Sequence, residues 1–277
     1  MNEITIRALP CGSIRLPASM AFRKAPHPLR RVALPVNAFL IEHPLHGRIL
    51  VDTGLSADCR QLLPPPLLRF YDPQIAPGET VTERLAALGL RPEDIDLLLL
   101  THNDIDHTCA LPALAGSVRR ILMPEEEYYW SCRAVYQMRQ VRSTWEPYLG
   151  RIELPCYYGS ALGPVGRGYD VFGDDSVLLV SCPGHTAGLA CVMVNQSPSW
   201  RFRYQGSGPC GGRFAILASD AAFSHRNIDE LVEPGYGFEP VRQRRALQWL
   251  QKMKADENCI SILCSHDPAA SGIVVRF

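Results

Sequence analysis

One stretch limits what this chain can fold into more than any other. Thr101 to Ala110 reads T-H-N-D-I-D-H-T-C-A and sets two histidines and two aspartates in six consecutive positions. Packing so many ionisable groups together costs free energy unless a metal ion takes them up. The preceding run, Ile95-Asp96-Leu97-Leu98-Leu99-Leu100, has strand length and enough apolar character to be buried on both faces in a layered α/β protein. The cluster therefore leaves the carboxyl end of a core strand, where open α/β sheets place their ligands. His102 and Asp104 are two residues apart and project to one side of an extended backbone. Asp106 and His107 then serve a second position, so the stretch reads as half of a two-metal site.

Three further segments repeat this layout. The runs Val177 to Gly184, Phe214 to Ser219 and Cys259 to Ser265 each begin as buried strands, and they lead to His185, Asp220 and His266. A lone histidine after a strand is ordinarily a surface or hydrogen-bonded residue. Four strands that each deliver a metal-capable side chain point to one shared centre.

With these residues in hand, the chain resembles the metallo-β-lactamase superfamily, whose pattern is His-x-His-x-Asp-His, a downstream His, a bridging Asp and a final His. The resemblance runs over nearly the whole chain and includes Asp52-Thr53-Gly54, Pro183-Gly184-His185-Thr186 and Ser265-His266-Asp267. Asn37 before the apolar run Ala38 to Ile41, and Pro92-Glu93-Asp94-Ile95 ahead of the motif, look most like the N-acyl-homoserine lactonase branch. The resemblance implies a four-layered αβ/βα sandwich, the metallo-β-lactamase fold, built as a single domain over residues 1–277. It implies that one metal takes His102, Asp104 and His185, the other Asp106, His107 and His266, and that Asp220 bridges. A hydroxide between the metals would be the nucleophile, and Asp106 would help return a proton to the leaving group. Asp52 is expected to be a structural group near the metal loop.

The chain departs from that pattern twice. Asp104 stands where the family has its second histidine. Phe223 stands three residues after the bridging aspartate, where the lactonases have a tyrosine that helps hold the substrate carbonyl. Two divalent ions, three carboxylates and a hydroxide sum to no net charge, against one positive charge with histidine at 104. The expected result is a weaker Lewis acid. Zinc is the first metal to expect, and the extra oxygen donor also suits iron or manganese.

The resulting expectation is a dinuclear metallohydrolase that opens an ester or lactone, with an acyl-homoserine lactone as the named substrate class. Glyoxalase-type thioester hydrolysis is one alternative. A second is a diiron redox protein that works with a separate electron-donor partner, because flavodiiron members carry a carboxylate at the position of Asp104. A third, a degraded site serving as a binding scaffold, is disfavoured because three carboxylates without metal would repel one another.

The chain has 277 residues and zero formal net charge, with no long basic block, so charge alone gives no reason to expect nucleic acid or an anionic membrane as partner. A small-molecule substrate fits better. No stretch approaches the roughly 20 apolar residues that span a bilayer, and Met1 to Ala18 lacks a signal-peptide core, so a cytoplasmic protein is expected. The ten cysteines lack a C-x-x-C pair and read as small buried hydrophobes; Cys109, just past His107, is the one placed to support the metal loop.

Along the chain, Ile4–Leu9 and Val32–Glu42 are expected as strands, with Pro17–Arg31 as a loop between them and a turn at Pro44–Gly47. Leu62–Pro77 is expected to be irregular, with Phe70 and Tyr71 either as a lid or packed against the core, and Glu79–Leu88 to be a helix stopped by Gly89. Arg119–Met123 reads as a strand and Glu125–Trp145 as one long helix carrying Tyr128, Tyr129, Trp130 and Tyr136. Pro155–Arg167 is expected as a loop or hairpin over the site, Arg201–Gly212 as a turn, His225 as a loop residue, and Pro240–Lys254 as the final helix.

Overall fold

The computed structural model describes residues 3–133, 139–196 and 212–277. Two long strands, β1 (Thr5–Pro17) and β2 (Arg31–His43), form an antiparallel hairpin with a bulge between Pro10 and Ser13. The tight turn after His43 leads into β3 (Gly47–Val51), which pairs antiparallel with β2. Beyond it β4 (Leu97–Leu99), β5 (Arg120–Leu122) and β6 (Ile152–Glu153) add in parallel. The second sheet runs through β7 (Tyr158–Gly159), β8 (Arg167–Asp170), β9 (Val177–Ser181) and β10 (Ala190–Asn195), all antiparallel, to β11 (Phe214–Ser219) and β12 (Cys259–Cys264), which are parallel to each other. Finally β13 (Val274–Arg276) returns to the free edge of β1.

The period-two pattern of each strand decides which layer its side chains enter. Leu97 and Leu99 face Val177, Leu179, Val192 and Leu217 across the space between the sheets, together with Phe39 and Ile41. Leu98 and Leu100 point the other way, into an outer core with Leu85, Leu111 and Trp145. Leu178 and Val180 enter the opposite outer core, where Ala246, Leu247, Leu250 and Met253 of the helix Pro240–Lys254 cover them. Helices, sheet, sheet and helices make the four expected layers. Among the described residues no helix is long and apolar enough to cross a membrane.

Local signals explain several elements. The helix Val81–Ala87 starts on a capping box, Glu83 N donating to Thr80 Oγ1 at 3.3 Å and Thr80 N to Glu83 Oε2 at 3.0 Å, and it stops where Gly89 takes φ 74°. Other expectations need correcting. The first strand runs past Leu9 to Pro17, because its pairing with β2 continues beyond the bulge, and Ala18–Ala21 inside the expected loop is helical. Pro65–Tyr71 is a helix that begins on prolines, so the segment is not irregular, and Tyr71 is buried. The long helix is only Glu125–Ser131, followed after residues 134–138 by short 3-10 turns at Arg142–Thr144 and Glu146–Arg151. Burial of Trp145 in the core and of Arg139 in the site overrides the local helical preference. Tyr136 and positions 201–211 lie outside the described residues.

Candidate metal centre

The donors gather at one end of the two sheets, where β3, β4, β9, β11 and β12 deliver their following residues. Backbone strain marks two of these exits: Asp52 has φ 59° and Ser219 φ 48°, conformations that non-glycine residues adopt at a cost of about 1–3 kcal/mol. Both side chains return something for it. Asp52 Oδ1 accepts from Thr101 N and Oδ2 from Thr101 Oγ1, each at 2.8 Å, and Oδ2 also accepts from His107 Nδ1 at 2.7 Å. The Ser219 hydroxyl lies 2.7 Å from Thr101 Oγ1. The sharp exits therefore lock the start of the metal loop.

These contacts fix how the histidines face. His107 Nδ1 is held by Asp52, His266 Nδ1 donates to the Pro35 carbonyl at 2.8 Å, and His102 Nδ1 lies 3.1 Å from Thr101 Oγ1. With Nδ1 occupied, each ring turns the lone pair of Nε2 inward. Asp220 sits among them: Oδ1 is 3.2 Å from Nε2 of both His107 and His266, and Oδ2 is 3.3 Å from His185 Nε2. Asp106 Oδ2 lies 3.4 Å from His266 Nε2 and 3.9 Å from His107 Nε2. Among the described residues, three groups have donor atoms close enough to hold an ion, namely His102–Asp104–His185, His102–His107–Asp220 and Asp106–His107–His266, all buried.

A metal fits this arrangement on its own evidence. Among the described residues, Nε2 of His102, His107 and His266 and Oδ1 of Asp220 are buried without hydrogen-bond partners, a cost that native interiors avoid unless something else satisfies the atoms. Burial alone would depress His107, yet Asp220, Asp52 and Asp106 hold its pKa well above the usual imidazole value. Burial would likewise raise Asp220, and His266, His107 and His185 pull it well below the ordinary carboxylate range. The pocket is thus one of strong mutual polarisation. A cation is the group it is built to receive.

The residues expected as ligands, His102, Asp104, Asp106, His107, His185, Asp220 and His266, lie together here. Asp104 differs from the rest, because it pairs with Arg139. That arginine is buried, donates through Nη1 to the His185 carbonyl at 3.0 Å, and approaches His185 Nε2 with Nη2 at 2.7 Å. Phe223 is also at the site, its ring edge-on to His266 at 4.7 Å and to His185 at 5.7 Å between centroids. Tyr71 lies under the surface and bonds Tyr236 through the two hydroxyls at 3.0 Å, so it packs beside the centre and is no exposed lid. Pro155–Arg167 contributes an edge hairpin of the second sheet, with Tyr157 Oη donating to the Gly188 carbonyl at 3.1 Å. His225 opens a short helix and its N–H donates to Asp267. Cys109 Sγ is 2.9 Å from Ser56 Oγ, and Cys109 packs with Cys59 in the apolar cluster beside the site.

Two contributors escaped the sequence reading. Arg139 carries no local pattern and is 35 residues from its partner; only the excess of carboxylates hinted that a buried cation was needed. Glu127 looked like a helix-start acid. It is in fact buried and ties the two metal loops together, accepting from Thr186 Oγ1 at 2.7 Å, Asn103 N at 3.1 Å and Gly188 N at 3.2 Å. Burial pushes its pKa up to about 7 against those hydrogen bonds. Gly188 permits the contact, since a Cβ there would fall 2.1 Å from Glu127 N.

Comparison with known proteins agrees with this geometry. The sequence profile of the Metallo-beta-lactamase superfamily matches residues 31–195. The chain is 26% identical to the N-acyl homoserine lactonase AttM of Azorhizobium caulinodans over 243 residues, covering 86% of this chain and 83% of that protein. It is 26% identical to an N-acyl homoserine lactonase of Bacillus cereus, with 84% and 82% covered. In fold it is similar to a B. thuringiensis AiiA mutant with N-decanoyl-L-homoserine bound at the active site, with TM-score 0.71, 21% identity, and 96% and 94% of the two chains covered. Matched over more than half its length and folded in four layers around the expected donors, the chain belongs to the metallo-beta-lactamase superfamily.

Proposed function

We propose that this superfamily hydrolase opens the ring ester of a lactone, with N-acyl-homoserine lactones as the substrate class, and that it does so only when its centre holds metal. The observation that carries the reading is the convergence of three unpartnered imidazole Nε2 atoms on the Asp220 carboxylate. A bound divalent cation supplies such a site with water whose pKa falls from about 15.7 to near 7, and with polarisation of the carbonyl. No serine or cysteine nucleophile is then required. Zinc is the metal proposed, because His107 and His266 with Asp106 and Asp220 offer nitrogen and oxygen donors in the number zinc favours.

The chain's own residues perform the remaining work. Asp52, Thr101 and Pro35 orient the rings, so the donors are in place before substrate arrives. Asp106 is a buried carboxyl at the centre, its Oδ2 3.4 Å from His266 Nε2, and it is placed to pass a proton to the leaving alkoxide. Phe223, Ile105 and Tyr71 pack in one buried apolar cluster beside the centre, and this is the side that an acyl chain would face.

The test is ring opening of a lactone panel of graded acyl length, followed by chromatography of the hydroxy acid, with and without a chelator. Metal-dependent opening that improves with chain length is expected. Turnover of aryl esters, thioesters or β-lactams with no lactone opening would move the proposal to another branch of the superfamily.

A further inference from the structure

The two halves of the centre are not equivalent. On one side, Nε2 of His107 and of His266 and Oδ1 of Asp220 are buried without hydrogen-bond partners among the described residues, as is Nε2 of His102, which lies between the halves at 3.8 Å from both Asp220 Oδ2 and Asp104 Oδ2. On the other, Nη2 of Arg139 donates to Asp104 Oδ2 and lies 2.7 Å from His185 Nε2, and those two acceptor-side atoms are themselves 3.0 Å apart. A guanidinium has no acceptor, so His185 Nε2 either presents its lone pair to Arg139 or carries the proton and donates to Asp104 Oδ2; in both states the nitrogen is already engaged. A histidine Nε2 has a single lone pair. An ion at about 2.1 Å from that nitrogen would need the electrons that Arg139 or the proton now engages.

Arg139 is seated as a fixture. Its guanidinium stacks over the Tyr236 ring at 4.0 Å and faces the Phe238 ring at 4.8 Å, and Nη1 donates to the His185 carbonyl at 3.0 Å. The whole side chain is buried, so the cation needs a counter-charge, and Asp104 provides it. A histidine at position 104 could not.

We propose that Arg139 fills the second cation position of this centre, with Asp104 as its counter-ion, so that the protein holds one tightly bound metal ion on the Asp106–His107–His266–Asp220 side and a fixed guanidinium on the other. The exchange of histidine for aspartate at 104 and the presence of Arg139 are then one coupled feature. The three carboxylates Asp104, Asp106 and Asp220 are balanced by one divalent ion and one arginine. This inference rests on the metal-binding reading above, and it concerns how many ions bind, independent of the substrate.

The experiment strips the full-length protein of metal, titrates it with zinc(II), and counts ions per chain by native mass spectrometry while a competing chelator gives the affinities. Removing Arg139 alone strands a buried carboxylate, so the variant is the pair Arg139→Ala with Asp104→His. Wild type is expected to take one ion tightly and any second about 100-fold or more weakly; the double variant is expected to take two tightly. Two ions of similar affinity in wild type would overturn the proposal. So would a double variant that still takes only one. No ion in wild type would sink the metal reading as well, whereas one ion without lactone opening would leave this inference standing and send only the substrate class back.

Discussion

Two histidine clusters occupy opposite ends of β3, and they have little in common beyond their residue types. At the turn before the strand, His43 Nδ1 accepts from the N–H groups of Leu45 and His46 at 3.2 and 3.3 Å, His46 Nε2 bonds Asp174 at 2.8 Å, and the His46 ring stacks face to face on Phe172 with centroids 3.7 Å apart. At the other end, beyond Val51, His102, His107 and His266 use Nδ1 outward and leave Nε2 buried with no hydrogen-bond partner among the described residues. Both clusters contain aspartate and a phenylalanine ring. What separates a structural cluster from a ligand site is whether the ring nitrogens find hydrogen-bond partners inside the protein.

The largest test of that distinction removes a ring from each cluster. His107→Ala is expected to abolish tight zinc binding and reduce kcat/KM for lactone opening by about three orders of magnitude or more. His46→Ala should leave metal content and turnover unchanged and cost on the order of 1 kcal/mol of stability in urea unfolding. Equal losses of activity in the two variants would mean that the turn cluster also shapes the site.

A smaller effect sharpens the role of the groups behind the ligands. Asp52→Asn keeps shape but removes the charge that holds Nδ1 of His107. Zinc affinity or kcat/KM should fall about 10–100-fold. Rescue by raised zinc would separate an orienting role from a purely structural one, which added metal cannot restore.

The turn cluster makes its own prediction in pH. Burial, then the neighbouring His46, depresses His43 from about 6.5 to about 4. The unfolded chain therefore binds the proton more readily than the folded one between those values, and stability is lost as pH falls from about 6.5 towards 4. After allowance for solvent screening the loss is on the order of 1–2 kcal/mol. Urea unfolding of metal-free protein at pH 7 and pH 4.5, compared with His43→Gln, should show the variant losing that much less on acidification.

The two ends of β3 also differ in how far the sequence revealed them. The donors were legible because apolar strands such as Val177–Ser181 and Phe214–Ser219 are unmistakable, and each ends near a residue that has no place in a core. The resemblance then supplied the pairing of those donors and the layers. Contacts made across space were not legible. The partnership of Arg139 with Asp104 joins a metal loop to a segment that pattern alone assigns to a helix, and Glu127 gave the ordinary signal of a helix start. The β1 extension was hidden for a related reason, since Pro10, Gly12 and Pro17 read as breakers until the bulge and the pairing with β2 accommodate them.

The smallest expected effect concerns the phenyl rings. Phe172 lies flat on His46, where it fills space against a satisfied imidazole. Phe223 meets His185 and His266 edge-on, and both of those rings belong to the centre. Phe223→Tyr would place a hydroxyl at the position where the lactonase pattern has one, and a neutral hydrogen bond to the substrate carbonyl is worth about 1 kcal/mol, so kcat/KM for a lactone should rise several-fold, up to about tenfold. The gain should appear for lactones and leave zinc affinity unchanged. Because Phe223 is buried, the added oxygen also needs room and a partner; a fall in activity with lower stability would show that the ring packs against the ligands as Phe172 packs against His46, and that the carbonyl is held by other groups.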